Sequence, residues 1–314
     1  MFVAAPRDAL VGHRAPSVAF DLLDGTRVDL AALLGRKPIY LKFWATWCVP
    51  CREQMPHLME TWRAHRDRLA VFAVDVGIND PIENVRELVA ALSLTLPIAI
   101  DHDGTVSERF HLNVTPQHVV IDRAGIVRHV GHAITPELER AIAEVVAETD
   151  PVPDLPLASA SAVPDVIPQP LALDDGTTLP FALHPEAPLV LTFATLWCDS
   201  YIAKSRPAMG IACAAHAKQV ERLQHTHPDL AWVTVAYPVW TDVENIESYR
   251  KRLGVSSRIG IDRDAAWFRR FRVRDVYTTI VLDASGTELG RIGGDGVGLA
   301  MLLDRLSDSV SRSQ

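Results

Sequence analysis

Two cysteines separated by two residues, Cys48-Val49-Pro50-Cys51, stand where the β-prone run Ile39-Tyr40-Leu41-Lys42-Phe43 gives way to the helix-compatible segment Arg52-Glu53-Gln54-Met55. That junction puts Cys48 at the start of a helix and Cys51 about one turn further in. Unpaired N–H groups and the positive end of the helix dipole stabilise a thiolate there, so Cys48 is expected to have a depressed pKa and to attack disulfides. Cys51 is near enough to attack the resulting mixed disulfide and release the product. The same spacing also serves half of a zinc site, or an inert disulfide. No second CxxC and no His-x(3–5)-His pair follows at ligand spacing, which favours redox chemistry, with no metal and no other cofactor implied.

The elements around the pair are legible from periodicity. Val18-Ala19-Phe20 leads into the Asp24-Gly25 turn, and Ile39–Phe43 has the composition of a core strand. The helix after the cysteines is expected to kink or break near Pro56 and to run to about Arg68. Ala70–Val74 is the next buried strand. Asp80-Pro81 opens a helix with Asp80 as its cap, and Val85, Leu88, Val89 and Leu92 give it one apolar face. Thr135-Pro136-Glu137 caps a last helix with the stripe Leu138, Ala141, Ile142, Val145 and Val146.

Length and composition bound the rest. A chain of 314 residues is comfortable for two domains, each with its own core. A net charge of −8 without a basic tract argues against nucleic acid as a partner. Four cysteines are too few for a disulfide scaffold of this size. No run has the length of a membrane span, and Met1–Arg7 does not have the pattern of a signal peptide.

The stretch Trp44-Ala45-Thr46-Trp47-Cys48-Val49-Pro50-Cys51 resembles the active site of the thioredoxin superfamily, in particular the TlpA/ResA group of thiol-disulfide oxidoreductases. Gly12-His13-Arg14-Ala15-Pro16 and Asp24-Gly25 resemble that group's N-terminal hairpin. Asp75-Val76-Gly77 follows the second core strand. Val114-Thr115-Pro116 precedes the strand His118–Asp122, where the fold carries its cis-proline. The likeness covers about residues 10–145. It implies Cys48 as nucleophile, Cys51 as resolving thiol, and Thr115 and Pro116 as the bed for a substrate backbone, with Trp47 and Pro50 also at substrate-binding positions. It further implies protein thiols and disulfides as partners, an upstream electron-donor thiol protein, and work as a reductant, as on disulfides formed during cytochrome c maturation. The group generally works outside the cytoplasm, whereas a chain translated without a signal is cytoplasmic.

Some residues depart from the pattern. Lys42 occupies the position where classical thioredoxins keep a buried acid, and is expected to send its stem to solvent. Ile78-Asn79-Asp80 follows Val76-Gly77 where the group often has a glutamate, and helix capping is the expected role of Asp80. His118 is expected to be half-exposed, and Trp44 and Trp47 to pack while shaping the surface around Cys48. Two rivals stand beside an oxidoreductase. A peroxiredoxin-like peroxidase would need proline at Leu41 and threonine at Ala45, and a folding-helper or binding module would keep Cys48–Cys51 as a structural disulfide.

Residues 150–170 hold six prolines and are expected to form a semi-rigid linker. Beyond it the chain repeats itself. Val190–Cys198 echoes the first cysteine strand, Asp229–Val235 the second strand, and Asp283-Ala284-Ser285-Gly286 the turn Asp122–Gly125. The offset is 150 at Cys48/Cys198 but 161 from Leu69/Leu230 onward, so the second copy carries 11 extra residues after its cysteine. Eleven residues are about three helical turns and would lengthen a helix without rotating its buried face. The expected fold is therefore α/β: two tandem thioredoxin-like domains, each a central mixed sheet flanked by helices, over 1–149 and 171–314. Tyr201 stands where Cys51 does in the first copy, and Val276-Tyr277 where Thr115-Pro116 does, so the second copy is expected to lack dithiol chemistry and a cis bond. On one continuous helix Cys198 and Cys213 would lie about 22 Å apart and remain separate thiols, unless the helix breaks near Pro207 or Gly210.

Overall fold

Alternating side chains in Ala19–Leu22 (β1) and Arg27–Asp29 (β2), joined through Gly25 at a φ of +87° that favours glycine, form an antiparallel hairpin. A computed structural model of the protein describes residues 10–148, 170–180 and 188–304, so the expected linker lies outside the described residues except for Pro170. The chain divides into two compact units, Met1–Val166 and Ile167–Gln314.

In the first unit the hairpin continues a sheet formed by Ile39–Trp44 (β3), Ala70–Asp75 (β4), Ile98–Ile100 (β5), Gln117–Ile121 (β6) and Val127–Gly131 (β7), in the order β2-β1-β5-β4-β3-β6-β7. β3 runs parallel to β4 and antiparallel to β6, and all six of its residues are buried. Such a strand reads as a continuous apolar run because neither of its faces meets water.

Helices Val49–Glu53 (α1) and Met55–His65 (α2) are separated at Gln54, just before Pro56, whose ring cannot donate to the preceding turn. Next come Ile82–Ala91 (α3), Thr105–Arg109 (α4) and Pro136–Ala147 (α5). The Thr135 hydroxyl caps α5, and the whole expected stripe of that helix is buried. α3 is different: Val85 is buried but Leu92 is exposed. The Arg86 and Val89 flank of this helix borders an open groove with Trp62, Leu94 and Pro97 instead of a packed layer.

In the second unit a short hairpin, Leu171–Ala172 (β8) with Thr178–Leu179 (β9), precedes Leu189–Ala194 (β10), Ala231–Ala236 (β11), Arg258–Ile261 (β12), Thr278–Leu282 (β13) and Glu288–Gly293 (β14). Its sheet runs β12-β11-β10-β13-β14, with β10 parallel to β11 and antiparallel to β13. After β10 come a π-turn over Cys198–Ile202, a short helix Ala203–Ser205 (α6), then Pro207–Thr226 (α7), Val243–Leu253 (α8) and Ala266–Arg270 (α9). Val190, Val220, Leu223, Trp232, Val281, Leu299 and Leu303 form one of its apolar clusters.

The extra 11 residues do not make one longer helix, and this corrects the expected separation of Cys198 and Cys213. Pro207 restricts the residue before it, and Arg206 leaves the helical region at φ −138°, ψ 76°. The chain turns there, and α7 returns so closely that a Cβ on Gly210 would collide with Ala203. Cys198 and Cys213 then stand 6.1 Å apart between Cα atoms and are joined as a disulfide. The bond joins cysteines 15 residues apart in sequence, and closing such a loop restricts the unfolded chain. Replacing both cysteines by serine should lower the unfolding free energy of this unit by about 3 kcal/mol, read from denaturant titrations. An unchanged midpoint would mean that packing alone fixes the bend at Pro207.

A candidate dithiol site

The end of β3 delivers Ala45, Thr46 and Trp47 to the first turn of α1, and Cys48 is the N-cap of that helix. Its Sγ accepts the backbone N–H of Cys51 at 3.2 Å, the contact that would stabilise a thiolate once the bond is reduced. Here the two cysteines are joined as a disulfide, with Cα atoms 5.2 Å apart.

The loop leading to Cys48 is held by groups far away in sequence. Asp80 accepts the Thr46 N–H and the Thr46 hydroxyl on its two oxygens, each at 2.5 Å. The expected capping role of Asp80 is corrected by this clamp: Pro81 is the N-cap of α3, and no side chain caps that end. The Trp47 indole N–H donates to the Ile78 carbonyl at 2.8 Å. Gly77, which leads to that carbonyl, has φ +65° and its N–H on the Asp75 carboxylate.

Beneath the cysteines lies a buried polar layer. Lys42 is fully buried, against the expectation of a solvent-reaching stem, because the middle of β3 has no exposed face. Its Nζ donates to the Cys51 carbonyl at 3.1 Å, and no carboxylate is within bonding reach of it among the described residues. An ammonium offers three donors, and loss of hydration with so little in return pushes its pKa down to about 7. Next to Lys42 across the sheet is His118, also buried rather than half-exposed. Its Nδ1 lies 2.7 Å from the Tyr40 hydroxyl and its Nε2 2.9 Å from Gln54 Oε1. Burial first, and then the Lys42 charge, lower the His118 pKa to about 2, so this imidazole stays neutral. Burial likewise raises the Tyr40 pKa and keeps its proton on.

The Thr115–Pro116 bond is cis, as the resemblance implies. β6 starts at Gln117 opposite Phe43, which puts this bond beside the end of β3 where the cysteine loop departs. Val276–Tyr277 is also cis, and the expectation of a trans bond there is corrected. Thr115 and Pro116 are buried, as are Cys48, Cys51, Trp44 and Trp47. Trp47 therefore offers no surface for the substrate contact expected of it; it packs inside and spends its N–H on Ile78. Of the CxxC turn only Val49 and Pro50 reach the surface in part, so access to the Cys48 sulfur in this disulfide state requires local opening.

The Asp80–Thr46 clamp and the Gln54–His118–Tyr40 chain had no local signal in the sequence, because their members lie 34, 64 and 78 residues apart. One clue was available: Tyr40 and Lys42 share a face of β3, so two polar tips had to find partners on one side of the sheet.

Several known proteins are similar to this chain. Residues 11–130 match the AhpC/TSA family. The thioredoxin-like protein YneN of Bacillus subtilis (strain 168) is 33% identical over 134 residues, which cover 42% of this chain and 78% of that protein. The thiol-disulfide oxidoreductase ResA of Geobacillus thermodenitrificans (strain NG80-2) is 32% identical over 121 residues, covering 38% and 68%. Among solved structures, a thiol:disulfide interchange protein of the thioredoxin family from Chlorobium tepidum TLS aligns with 24% identity over 42% of this chain and 95% of that one, at a TM-score of 0.36.

The buried lysine makes a prediction about stability. Its folded-state pKa of about 7 lies below the value of about 10.4 for an unfolded lysine. Between the two the unfolded chain binds the extra proton, so Lys42 makes stability rise with pH across that window, and below it the full charging penalty applies. The stability of the wild type minus that of Lys42→Met should therefore climb by up to about 1.4 kcal/mol per pH unit between roughly pH 7 and 10. Denaturant titrations at several pH values measure this, and a flat difference would mean that the amine stays hydrated.

Proposed function

Because the chain belongs to the TlpA/ResA-like thiol-disulfide oxidoreductases of the thioredoxin superfamily, we propose that Cys48 and Cys51 exchange disulfides with protein substrates, working as a reductant. The observation that carries this reading is the cap geometry, in which Cys48 Sγ receives the Cys51 N–H at the start of α1. In the reduced protein the Cys48 thiolate attacks a substrate disulfide, forms a mixed disulfide and expels one substrate thiolate. Cys51 then attacks Cys48 Sγ, the Cys48–Cys51 bond forms, and the second substrate sulfur leaves. The substrate gains two electrons, and an upstream thiol protein restores the dithiol. Thr115 and Pro116 hold the substrate backbone once the segment around Val49 and Pro50 has opened. Pro50, already exposed in part, borders that bed, and Trp47 shapes it from within.

The domain reading is part of the proposal: residues 1–149 and 171–314 are tandem thioredoxin-like domains, joined through 150–170. Support comes from contacts that recur at the repeat offsets. The Trp47 indole donates to the Ile78 carbonyl and the Trp197 indole to the Val239 carbonyl. Asp101 accepts the Ser107 N–H and Asp262 the Phe268 N–H. Rings pack 5.5 Å apart in both Phe43–Phe110 and Phe193–Phe271. Tyr201 takes the place of a resolving cysteine, and Cys198 is already bound to Cys213, so the second domain serves in packing or docking and not in turnover.

One observation favours a second reading. Both sulfurs of the Cys48–Cys51 pair are buried, as they would be in a structural disulfide. Turnover separates the two readings. With dithiothreitol as the electron source, the protein should accelerate insulin precipitation. Cys48→Ser should abolish the acceleration, and the Cys198→Ser/Cys213→Ser double variant should keep it within about twofold, provided the double variant is folded. Cys51→Ser should accumulate a mixed disulfide through Cys48. Wild-type protein without effect on insulin, together with a Cys51→Ser variant that traps nothing, would leave the structural reading.

A further inference from the structure

The resolving step needs a base that the exchange chemistry alone does not identify. A thiolate, not a thiol, attacks a disulfide, so Cys51 must lose its proton before or as it attacks Cys48. Cys51 is buried, and bulk water does not reach it in this state.

On β3, the Tyr40 hydroxyl is engaged with His118, and burial holds its proton on. On β6, both ring nitrogens of His118 have partners, and its pKa lies near 2. On α2, His57 pairs with Glu139 of α5 at 2.5 Å. On β7 and just beyond it, His129 is depressed by burial, and His132 Nδ1 lies 2.9 Å from the Pro116 carbonyl. Asp80 has both carboxylate oxygens on Thr46. Lys42 alone among these groups is bonded to Cys51 itself, through the carbonyl of that residue.

We propose that Lys42, as the neutral amine, takes the proton of the Cys51 thiol when Cys51 attacks the Cys48–substrate mixed disulfide. The proposal rests on the roles assigned above to Cys48 and Cys51. The Cys51 S–H bond breaks and its proton passes to Lys42 Nζ. The Cys51 electron pair forms the Cys48–Cys51 bond, and the Cys48–substrate bond breaks with its pair leaving on the substrate sulfur. The leaving thiolate is protonated from solvent, and Lys42 later releases the proton it took, so the step needs no further oxidant or reductant. Burial makes the assignment chemically reasonable. An ordinary exposed lysine is already protonated at pH 7 and accepts nothing, whereas a desolvated one has an amine fraction at that pH.

The test uses the full-length reduced protein and 5,5′-dithiobis(2-nitrobenzoate). Attack by Cys48 releases one chromophore in a phase that depends on reagent concentration. Attack by Cys51 releases the second in a phase that does not. For the wild type the second phase should rise with pH and level off around a midpoint near 7. In Lys42→Met it should slow by about tenfold or more at pH 7, with its midpoint moved up toward that of a free thiol at about 8.5, while the first phase changes by less than about twofold. Lys42→Arg keeps a cation but cannot accept a proton, so it should be as slow as Lys42→Met. His57→Gln should retain the wild-type profile. Lys42→Gln, checked for folding by circular dichroism, substitutes if Lys42→Met does not fold.

A second phase with the same midpoint in folded Lys42→Met or Lys42→Gln would overturn the proposal, as would a Lys42→Arg variant as fast as wild type. A wild type that shows the first phase and no second would instead remove Cys51 as the resolving thiol, and with it the premise of the step.

Discussion

β3 is hydrogen-bonded on both edges and covered on both faces, and the site depends on that confinement. A strand so enclosed can only hand its chain over at its ends, and its C-terminal end delivers Cys48 to the first turn of α1. The same confinement denies water to Lys42, so the amine must find an acceptor inside and finds the carbonyl of Cys51. Burial thus does two things at once: it fixes the position of the disulfide and brings a basic group down into the range where it exchanges protons near neutral pH.

The confinement also has a cost for access. Cysteines that lie in the interior when oxidised cannot meet a thiol protein without local movement, and the first turn of α1, at Val49 and Pro50, is the segment suited to it, while the Lys42 contact holds the Cys51 end. This helix has five residues, ends at Glu53 with Gln54 as its C-cap, and carries the partly exposed Val49 and Pro50. The Thr46–Asp80 and Trp47–Ile78 contacts hold the N-terminal side of the loop. Opening that leaves these contacts intact would uncover Cys48 and keep β3 in place.

Much of this was legible in the residues. The CxxC at a strand-to-helix junction, the break near Pro56 and the stripe of α5 follow from local rules of period, capping and proline geometry, and the cis bond at Pro116 follows from the resemblance to the thioredoxin superfamily. What local rules do not decide involves groups that meet across the fold. Lys42 resembles a surface residue by type, and only its place in a strand with neighbours on both sides makes it buried. Asp80 has the sequence of a helix cap, yet a stronger partner, the Thr46 N–H and hydroxyl, takes its carboxylate. The Cys198–Cys213 bond depended on whether Pro207 bends the chain, a choice between two recognised conformations that spacing alone leaves open.

The central claim is that the Cys48–Cys51 bond exchanges within the folded protein although its sulfurs are buried. Brief treatment of the native oxidised chain with dithiothreitol, then iodoacetamide and peptide mass analysis, tests it directly, with circular dichroism recorded throughout. The account predicts label on Cys48 and Cys51 with secondary structure unchanged, and Cys198 and Cys213 unlabelled until denaturant is added. Label on Cys48 and Cys51 that appears only when the chain unfolds would contradict it.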